Sequence, residues 1–517
     1  MFKDLKSYKK LKELAIDPID LTKQNILNVD RIKSMSTHNL DFKLLYATER
    51  VTAQIIKNLF DLADETKALK KMQDMQDGKI INKMNGCEGE NKEVLHTAMR
   101  DFFEDQNTSK VAKEAAKLAL IEVEKLEKFL EKIDKENKFA NIVQIGIGGS
   151  FLGPKAIVES LKTYSKKNRE VFFISNVDPD DAYHILDKLD LSKTLFVSVS
   201  KSGTTLETLT NEEIVRDKLK EKNLNPKDHI ASVTGKNSPM DDPSKYLESF
   251  YIWDYVGGRY SATSMVGGVV IGFACGIKVF KDFLKGASLM DKIALRNDES
   301  NLPLLSALLG IWNRNFLNYS NLAVIAYSQA LLYFPLHLEQ LDMESNGKSI
   351  DKECQKVNFK TGPIIFGDIG TNAQHSFFQH LHQGTDIVPV EFIGFKKSQA
   401  GKDLIVKGTT SLQKLLSNMF AQSIALATGQ KSDNPNKYFE GNRPNHILLG
   451  TKLDPRTLGA LLSYFENKIA FQGFIWNINS FDQEGVQLGK VLANKFLDLF
   501  AKKDMDFEIG KAFIDLL

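Results

Sequence analysis

Short apolar runs that alternate with helix-length polar segments constrain the fold of this 517-residue chain more than any other feature. Strands that are buried on both faces are continuously apolar, and their alternation with helices is typical of a parallel sheet covered on both sides. The pattern therefore predicts an α/β protein with two mainly parallel sheets. The predicted strands are residues 142–145, 171–175, 194–200, 230–234 and 250–252 for the first sheet, and 322–326, 364–366, 388–395 and 447–449 for the second.

Amphipathic helical patterns surround both groups of strands. The longest runs from residue 109 to 136, where apolar side chains follow one helical stripe between lysines and glutamates. We expect this helix to cover a sheet. We expect four parts in the chain. A mainly helical N-terminal segment over residues 1–105 packs on the large domain. A small domain over residues 106–270 is followed by the large domain over residues 271–495 and by a helical C-terminal tail over residues 496–517.

Composition narrows the class of protein and its compartment. A net charge of +2 with 26% charged residues gives no sign of a nucleic-acid or membrane partner. The most apolar helical stretch, residues 266–277, is too short to span a bilayer. Cys87, Cys275 and Cys354 lie far apart and form no CxxC pair, which argues against a disulfide scaffold and favours a reducing compartment. The first fourteen residues lack the apolar core of a secretory signal. We therefore expect a soluble, cytoplasmic protein.

A glycine-rich loop follows the first predicted strand, at residues 146–154. In parallel sheets ligands bind at the carboxyl ends of strands, and Gly149 beside Ser150 permits close approach of the backbone to a ligand. A dinucleotide-binding fingerprint would require GxGxxG, but Phe151 breaks that spacing. The loop therefore indicates a ligand site without indicating a Rossmann dehydrogenase.

A second loop, rich in hydroxyl groups, follows the third predicted strand. Ser200, Lys201, Ser202, Thr204 and Thr205 supply four hydroxyls and one positive charge at a strand-to-helix turn. Hydroxyls, backbone N–H groups and a helix N-terminus together suit a phosphate group. The Walker A spacing is missing, so a phosphomonoester fits better than a triphosphate. Serine- and threonine-rich turns also cap helices, and the loop by itself leaves both interpretations open.

Two further segments carry candidate catalytic groups. Gln340 and Glu344 are four residues apart and share one face of a predicted helix end. A carboxylate beside an amide suits proton abstraction if it is partly desolvated, although a solvated helix end has the same spacing. Arg259 stands between glycines and a serine after a strand. It would stabilise developing negative charge or, alternatively, join two domains through a salt bridge.

The remaining candidates are histidines and a C-terminal lysine. His375, His380 and His382 suggest zinc, but they lack the i, i+4 pair of a helical metal site. His375 opens a predicted helix, and a reference pKa of ~6.5 would suit an acid or base. Gln483 and Lys490 lie two helical turns apart. A helical lysine usually extends to solvent, so spacing alone does not select Lys490.

Six motifs in a fixed order, GIGGSxLGP, an SK-containing hydroxyl loop, VGGRYS, QxxMESNGK, GTNxQHSFxQxxHQGT and GVxLGK, resemble the glucose-6-phosphate isomerase (phosphoglucose isomerase) family. The resemblance covers about residues 140 to 493. It implies two sugar-isomerase-type (SIS) domains, a homodimer and no metal or other cofactor. The substrates implied are small sugar phosphates.

The resemblance also implies a role for each candidate residue. Glu344 would move the proton between the first and second sugar carbons, and Arg259 would stabilise the cis-enediolate. His375 would help to open the sugar ring from the partner subunit, with Lys490 assisting. The ligand contacts implied are Ser200, Lys201, Ser202 and Thr205 to the phosphate with Ser150 nearby, and Gly149, Gln340 and Gln483 to the sugar.

Several positions depart from the family pattern. Ser202–Gly203 stands where Thr–Phe is common, Ala373 stands where glycine is usual, and Asp368–Ile369 replaces Glu–Pro. We expect these changes to alter local loop geometry and to leave the chemical groups in place. Two alternatives remain at this point: a non-catalytic sugar-phosphate sensor on the same sheets, and an isomerase that also accepts mannose 6-phosphate.

Overall fold

The computed structural model describes residues 2–103, 109–503 and 506–517. The predicted domain boundary between residues 105 and 106 lies outside these ranges. Contacts divide the chain into two compact units, Met1–Ser480 and Phe481–Leu517. The two large sheets and the β11–β12 hairpin belong to the first unit. The second unit contains helices α16 (Gln487–Phe500) and α17 (Glu508–Ile514).

The first unit alternates strands with helices as the apolar pattern predicts. Its strands are β1 (Ser36–Asn39), β2 (Phe42–Leu45), β3 (Asn141–Ile145), β4 (Glu170–Ile174), β5 (Thr194–Ser200), β6 (Ile230–Thr234), β7 (Ser249–Tyr251), β8 (Asn321–Ala326), β9 (Ile364–Ile369), β10 (Val390–Lys397), β11 (Ile405–Val406), β12 (Thr409–Thr410) and β13 (Asn445–Lys452). Its helices are α1 (Lys6–Leu14), α2 (Val29–Ser34), α3 (Ala53–Glu65), α4 (Ala68–Gln76), α5 (Lys110–Glu136), α6 (Leu152–Ser160), α7 (Pro179–Leu186), α8 (Leu206–Glu221), α9 (Met265–Cys275), α10 (Ile277–Ile293), α11 (Leu302–Ile311), α12 (Phe334–Asn346), α13 (Phe378–Gln383), α14 (Ser411–Thr428) and α15 (Pro455–Trp476).

The first sheet has the strand order β4-β3-β5-β6-β7, and all of its pairs are parallel. The chain runs from β3 outward to β4 and then returns to β5 on the other side of β3. The strand order therefore reverses between β3 and β5, which is the position where open α/β sheets bind ligands. Apolar side chains on one face, including Val143, Phe196 and Ile230, pack into a core with α7 and α8.

The second sheet has the order β1-β2-β13-β10-β8-β9. Strands β13, β10, β8 and β9 are parallel, whereas β2 runs antiparallel to β13. The prediction of two mainly parallel sheets flanked by helices is confirmed. The N-terminal segment differs from the prediction in one respect, because its residues 36–45 form the β1–β2 hairpin. Phe42 and Leu44 alternate with less buried neighbours, and this short alternating pattern was the available signal.

Long helices cover the first sheet as predicted. Ser109 caps α5 by accepting a hydrogen bond from Ala112 N at 3.5 Å, and Phe129 of this helix packs on Phe250 of β7. Every residue of α9 is buried, which explains the apolar stretch around residue 270. None of the helices in the described part of the chain is long and apolar enough to cross a membrane.

The cysteines contradict the expectation drawn from their spacing. Cys87 and Cys354 form a disulfide across 267 residues of sequence, with their Cα atoms 6.0 Å apart, whereas Cys275 is free and buried. The loop of Cys87 and the turn of Cys354 also share a backbone hydrogen bond, from Asn85 N to Lys352 O at 2.7 Å. The prediction was wrong because distance along a sequence says nothing about distance in the folded chain.

Candidate functional site

The glycine-rich loop packs directly on the turn that carries Arg259. A Cβ added to Gly149 would lie 2.8 Å from Arg259 N and would overlap the carbonyl of Gly258. Glycine is therefore required at position 149 by the close approach of two backbones. The loop also approaches α12, because a Cβ on Gly148 would lie 3.4 Å from Gln340 Nε2. Ser150 lies at the end of the same short turn, at the carboxyl end of β3.

The hydroxyl-rich loop lies at the end of β5, beside the glycine-rich loop after β3. Ser200 Oγ accepts hydrogen bonds from Gly203 N at 3.1 Å and Thr205 N at 3.4 Å, and it lies 2.8 Å from Thr205 Oγ1. Ser202 is exposed and accepts a hydrogen bond from Thr204 N. Gly203 has φ of +70°, which favours glycine in this turn. Thr205 precedes α8 without a side-chain capping bond, so its hydroxyl is not used as a helix cap.

Lys201 connects this loop to the segment before Arg259. Its Nζ donates to Val256 O at 3.1 Å and lies 3.4 Å from Asp254 O. Burial lowers the pKa of Lys201 below its ordinary value, and the nearby Lys92 lowers it further. An anionic ligand in the loop would oppose both effects, because it favours the charged ammonium form.

Helix α12 presents Gln340 and Glu344 as a hydrogen-bonded pair. Gln340 Nε2 donates to Glu344 Oε2 at 2.9 Å, as the spacing of four residues predicts. The Glu344 side chain is 22% exposed, so it is neither a solvated helix end nor sealed in the core. Lys348 donates to the carbonyls of Glu344 and Ser345, at 2.7 and 3.2 Å, and thereby satisfies the end of the helix.

Arg259 faces the carboxylate of Glu344 from a buried position. Its Nη1 lies 3.2 Å from Glu344 Oε1, and its side chain is 1% exposed. The guanidinium also donates from Nε to Ser345 Oγ at 2.7 Å and from Nη2 to Ser480 O at 2.6 Å. The structure thus brings Gly149, Arg259, Gln340 and Glu344 together from three distant parts of the sequence.

Three groups in this arrangement were not predicted from the sequence: Ser345, the carbonyl of Ser480, and Tyr260. Tyr260 Oη lies 3.0 Å from Ser345 Oγ, and burial raises the pKa of this phenol to about 12. Ser345 lies beside Glu344 within the QxxMESNGK motif, which was the only signal for it. A backbone carbonyl such as that of Ser480 leaves no signal in a sequence.

His375 lies elsewhere in the first unit. It ends a short helical turn, Asn372–His375, that follows β9 at the edge of the second sheet, and it is exposed. Its neighbour Gln374 is fixed by a hydrogen bond from Nε2 to Tyr327 Oη at 2.7 Å. In the described ranges, no group of three or more His, Cys, Asp or Glu side chains is arranged to hold a metal ion.

Gln483 and Lys490 belong to the second unit. Gln483 precedes a short turn, Glu484–Val486, and Lys490 lies in the first turn of α16. Both residues are exposed. The roles of Gln483 in the sugar pocket and of Lys490 in ring opening remain predictions.

The fold and the site together define an α/β protein with a ligand-binding switch point and a carboxylate–guanidinium pair beside it. A family model described as "Phosphoglucose isomerase" matches residues 45–509. The glucose-6-phosphate isomerase of Protochlamydia amoebophila (strain UWE25) is 56% identical over 513 residues, which cover 98% of this chain and 95% of that protein. That of Chlamydia pneumoniae is 53% identical and covers 97% and 95% of the two chains.

A solved structure agrees with the sequence relatives. The crystal structure of a glucose-6-phosphate isomerase from Chlamydia trachomatis D/UW-3/Cx has a TM-score of 0.97 and 49% identity, covering 100% of this chain and 99% of that one. A Thermus thermophilus protein described as hypothetical shares the fold at a TM-score of 0.63 and 24% identity, covering 86% and 94%. The chain belongs to the phosphoglucose isomerase family.

Proposed function

We propose that the chain catalyses the reversible aldose–ketose isomerisation of D-glucose 6-phosphate and D-fructose 6-phosphate, with Glu344 as the base. The observation that carries this proposal is the partly buried carboxylate of Glu344, 3.2 Å from the buried guanidinium of Arg259. Proton abstraction next to a carbonyl requires a base at the carbon and a positive group at the developing oxyanion. These two side chains provide that combination.

The reaction divides into binding, ring opening and proton transfer. Ser200, Lys201, Ser202 and Thr205 bind the phosphate, with Ser150 nearby, and hold the sugar in register with the base. Ring opening gives the ring oxygen a proton and removes one from the anomeric hydroxyl. We assign these transfers to His375 and Lys490.

Glu344 then removes the proton from C2 of the open aldose, and the sugar becomes a cis-enediolate. Glu344 returns the proton to C1 while the hydroxyl proton on O2 passes to O1, which gives the ketose. Arg259 stabilises the negative charge on the oxygens of this intermediate because its guanidinium stays positively charged throughout the reaction. Gly149, Gln340 and Gln483 line the sugar pocket. No step requires a metal ion or a nucleotide.

We further propose that the chain works as a homodimer and that the partner subunit's His375 completes each site. The exposure of His375 on an edge of the second sheet supports this arrangement. The first sheet would form the centre of one sugar-isomerase-type domain, over residues 106–270. Strands β13, β10, β8 and β9 of the second sheet would form the centre of the other, over residues 271–495, with β1 and β2 added from the N-terminal segment. Phosphorylated sugars carry charge and do not cross bilayers, so we propose the cytoplasm, where such metabolites are retained, as the site of action.

Replacing Glu344 with glutamine tests the central assignment. Glu344→Gln keeps the shape of the side chain but removes the base, so turnover of fructose 6-phosphate should fall by about 10²–10⁴-fold or more with KM nearly unchanged. Glu339→Gln is a matched control, because Glu339 is a half-buried carboxylate on the same helix. Near-normal turnover in Glu344→Gln would overturn the assignment. The same coupled assay should give full activity with a chelator, and repeating it with mannose 6-phosphate defines the substrate range.

A further inference from the structure

The contacts of the Arg259 guanidinium include one group that changes charge during the proposed reaction and two hydrogen-bond acceptors that do not. Glu344, on Nη1, is the base and becomes neutral when it takes up the substrate proton. Ser345 Oγ on Nε and the carbonyl of Ser480 on Nη2 stay neutral throughout. At the moment when the enediolate forms, the ionic attraction between Glu344 and Arg259 is therefore lost. The hydrogen bonds from Arg259 to Ser345 and Ser480 remain at that moment and help to keep its orientation.

Ser345 is built to serve as such an acceptor. It is fully buried, and its Oγ lies 2.7 Å from Arg259 Nε and 3.0 Å from Tyr260 Oη. Tyr260 is itself fixed by burial and by stacking against His96, with ring centroids 4.6 Å apart. A hydroxyl orients a guanidinium without neutralising it, whereas a second carboxylate would compete with the enediolate for the positive charge.

An ordinary buried serine in this protein has a different pattern of contacts. Ser160 is also fully buried in a helix, but its hydroxyl donates to Ala156 O of the preceding turn at 2.7 Å. That bond satisfies the hydroxyl within its own helix. The hydroxyl of Ser345 instead contacts a turn 86 residues away in sequence, which carries the cation of the site.

From these contacts we infer that Ser345 is a positioning residue for the isomerisation, holding Arg259 in place through the step in which Glu344 is protonated. This inference rests on the proposed function, because it assumes that Glu344 is the base and that Arg259 stabilises the enediolate. Ser345 touches neither the substrate nor the reacting atoms in this account and acts only through Arg259.

Steady-state kinetics with fructose 6-phosphate provide the first test. Ser345→Ala should lower kcat by about 10- to 100-fold, the range for a lost hydrogen bond to a charged group, and should leave KM within about threefold. Ser345→Cys has a similar shape but a weak acceptor, and it should show the same loss if the alanine variant folds poorly. Ser160→Ala removes a buried hydroxyl of the same kind and should keep normal kcat. A normal kcat in Ser345→Cys would overturn the inference.

Inhibitor affinity separates positioning from general damage. A five-carbon sugar-acid phosphate, whose carboxylate is planar and anionic, mimics the enediolate, whereas a six-carbon sugar-alcohol phosphate carries only the phosphate charge. Ser345→Ala should weaken binding of the sugar acid by the same factor as kcat/KM and leave binding of the sugar alcohol unchanged. Equal weakening of both inhibitors would show a structural defect in the pocket and contradict the inference.

A double-mutant cycle with Arg259→Ala distinguishes this inference from the proposed function. If Ser345 acts through Arg259, the double variant should be no slower than Arg259→Ala alone. A further tenfold loss in the double variant would show that Ser345 acts by another route and would overturn the inference only. If Arg259→Ala itself retained normal turnover, the proposed role of Arg259 would fail, whatever the behaviour of Ser345.

Discussion

A buried charge network in the second sheet predicts how stability depends on pH. His446 of β13 stands directly opposite Glu391 of β10. Its Nδ1 lies 2.8 Å from Glu49 Oε1, and its Nε2 lies 3.4 Å from Glu391 Oε1. Glu391 also forms an ion pair with Lys468. Burial opposes the charge on the imidazole, but the attraction of Glu391 and the contacts of the imidazole with both glutamates outweigh burial and raise the pKa of His446 to about 9.

The raised pKa corresponds to a definite stability window. The native protein holds this proton up to about pH 9, whereas the unfolded chain releases it near the ordinary value of 6.5. The contribution is therefore complete below pH 6.5 and is lost as the pH rises through 9. At about 1.36 kcal/mol per pKa unit, the loss reaches about 3 kcal/mol. An unfolding entropy of about 2.1 cal/mol/K per residue makes this a fall of about 3 °C in Tm.

Thermal unfolding of the native enzyme and of His446→Gln between pH 6.5 and 9.5 measures this effect. The variant should be less stable at pH 6.5, and the gap should narrow by about 3 °C at pH 9.5. Burial lowers the pKa of Lys71 to about 8, so this residue makes both proteins more stable as the pH rises. Its contribution is the same in both proteins and cancels in the difference between their Tm values. Tyr464→Phe removes a 3.0 Å hydrogen bond to Glu391 Oε1 without removing the imidazole. The Tm of this variant should therefore depend on pH as steeply as that of the native enzyme. A gap that does not change with pH would refute the reasoning.

Three further perturbations test other parts of the molecule. Lys201→Ala should raise KM for fructose 6-phosphate by about 10- to 100-fold, with a smaller effect on kcat. Lys236→Ala, which replaces an exposed lysine, should leave KM unchanged. An unchanged KM in Lys201→Ala would remove Lys201 from the phosphate site. Gly149→Ala should reduce kcat/KM by about 100-fold or more, because its methyl group would displace the Arg259 turn. Gly257→Ala, with its nearest contact at 3.6 Å, should be tolerated, and equal losses in the two variants would contradict this geometry. Reduction of Cys87–Cys354 should lower Tm, since cross-linking across 267 residues stabilises the fold by up to about 5 kcal/mol. Cys354→Ser should have the Tm of the reduced protein and should no longer respond to reductant. Identical melting of the native protein with and without reductant would exclude a stabilising disulfide.

Much of the fold could be predicted because buried parallel strands have a strong local signature. All nine predicted strands exist, and each begins within two residues of its predicted start. The β1–β2 hairpin was missed because its four-residue strands offer few alternating positions, and their identity as strands depends on pairing with β13. The disulfide was missed for a related reason, since it joins two loops that only the fold brings together.

The sequence by itself determined the chemical inventory of the site and its local pairs. The four-residue spacing of Gln340 and Glu344 required only helical geometry, and their hydrogen bond follows from it. The hydroxyl-rich turn required only a strand followed by a helix. Each of these features depends on neighbours within a few residues, which is the range over which backbone geometry is set by local sequence.

Tertiary structure alone decided how Arg259 meets Glu344. Their contact joins residues 85 positions apart, and two acceptors on the same guanidinium are a serine hydroxyl and a backbone carbonyl whose contact with Arg259 no sequence spacing predicts. Such contacts depend on how two sheets and their helices pack, because burial selects whichever polar atoms lie within reach of the charge. The sequence was therefore sufficient to predict the reacting groups, whereas the packing of the fold determined which groups position them.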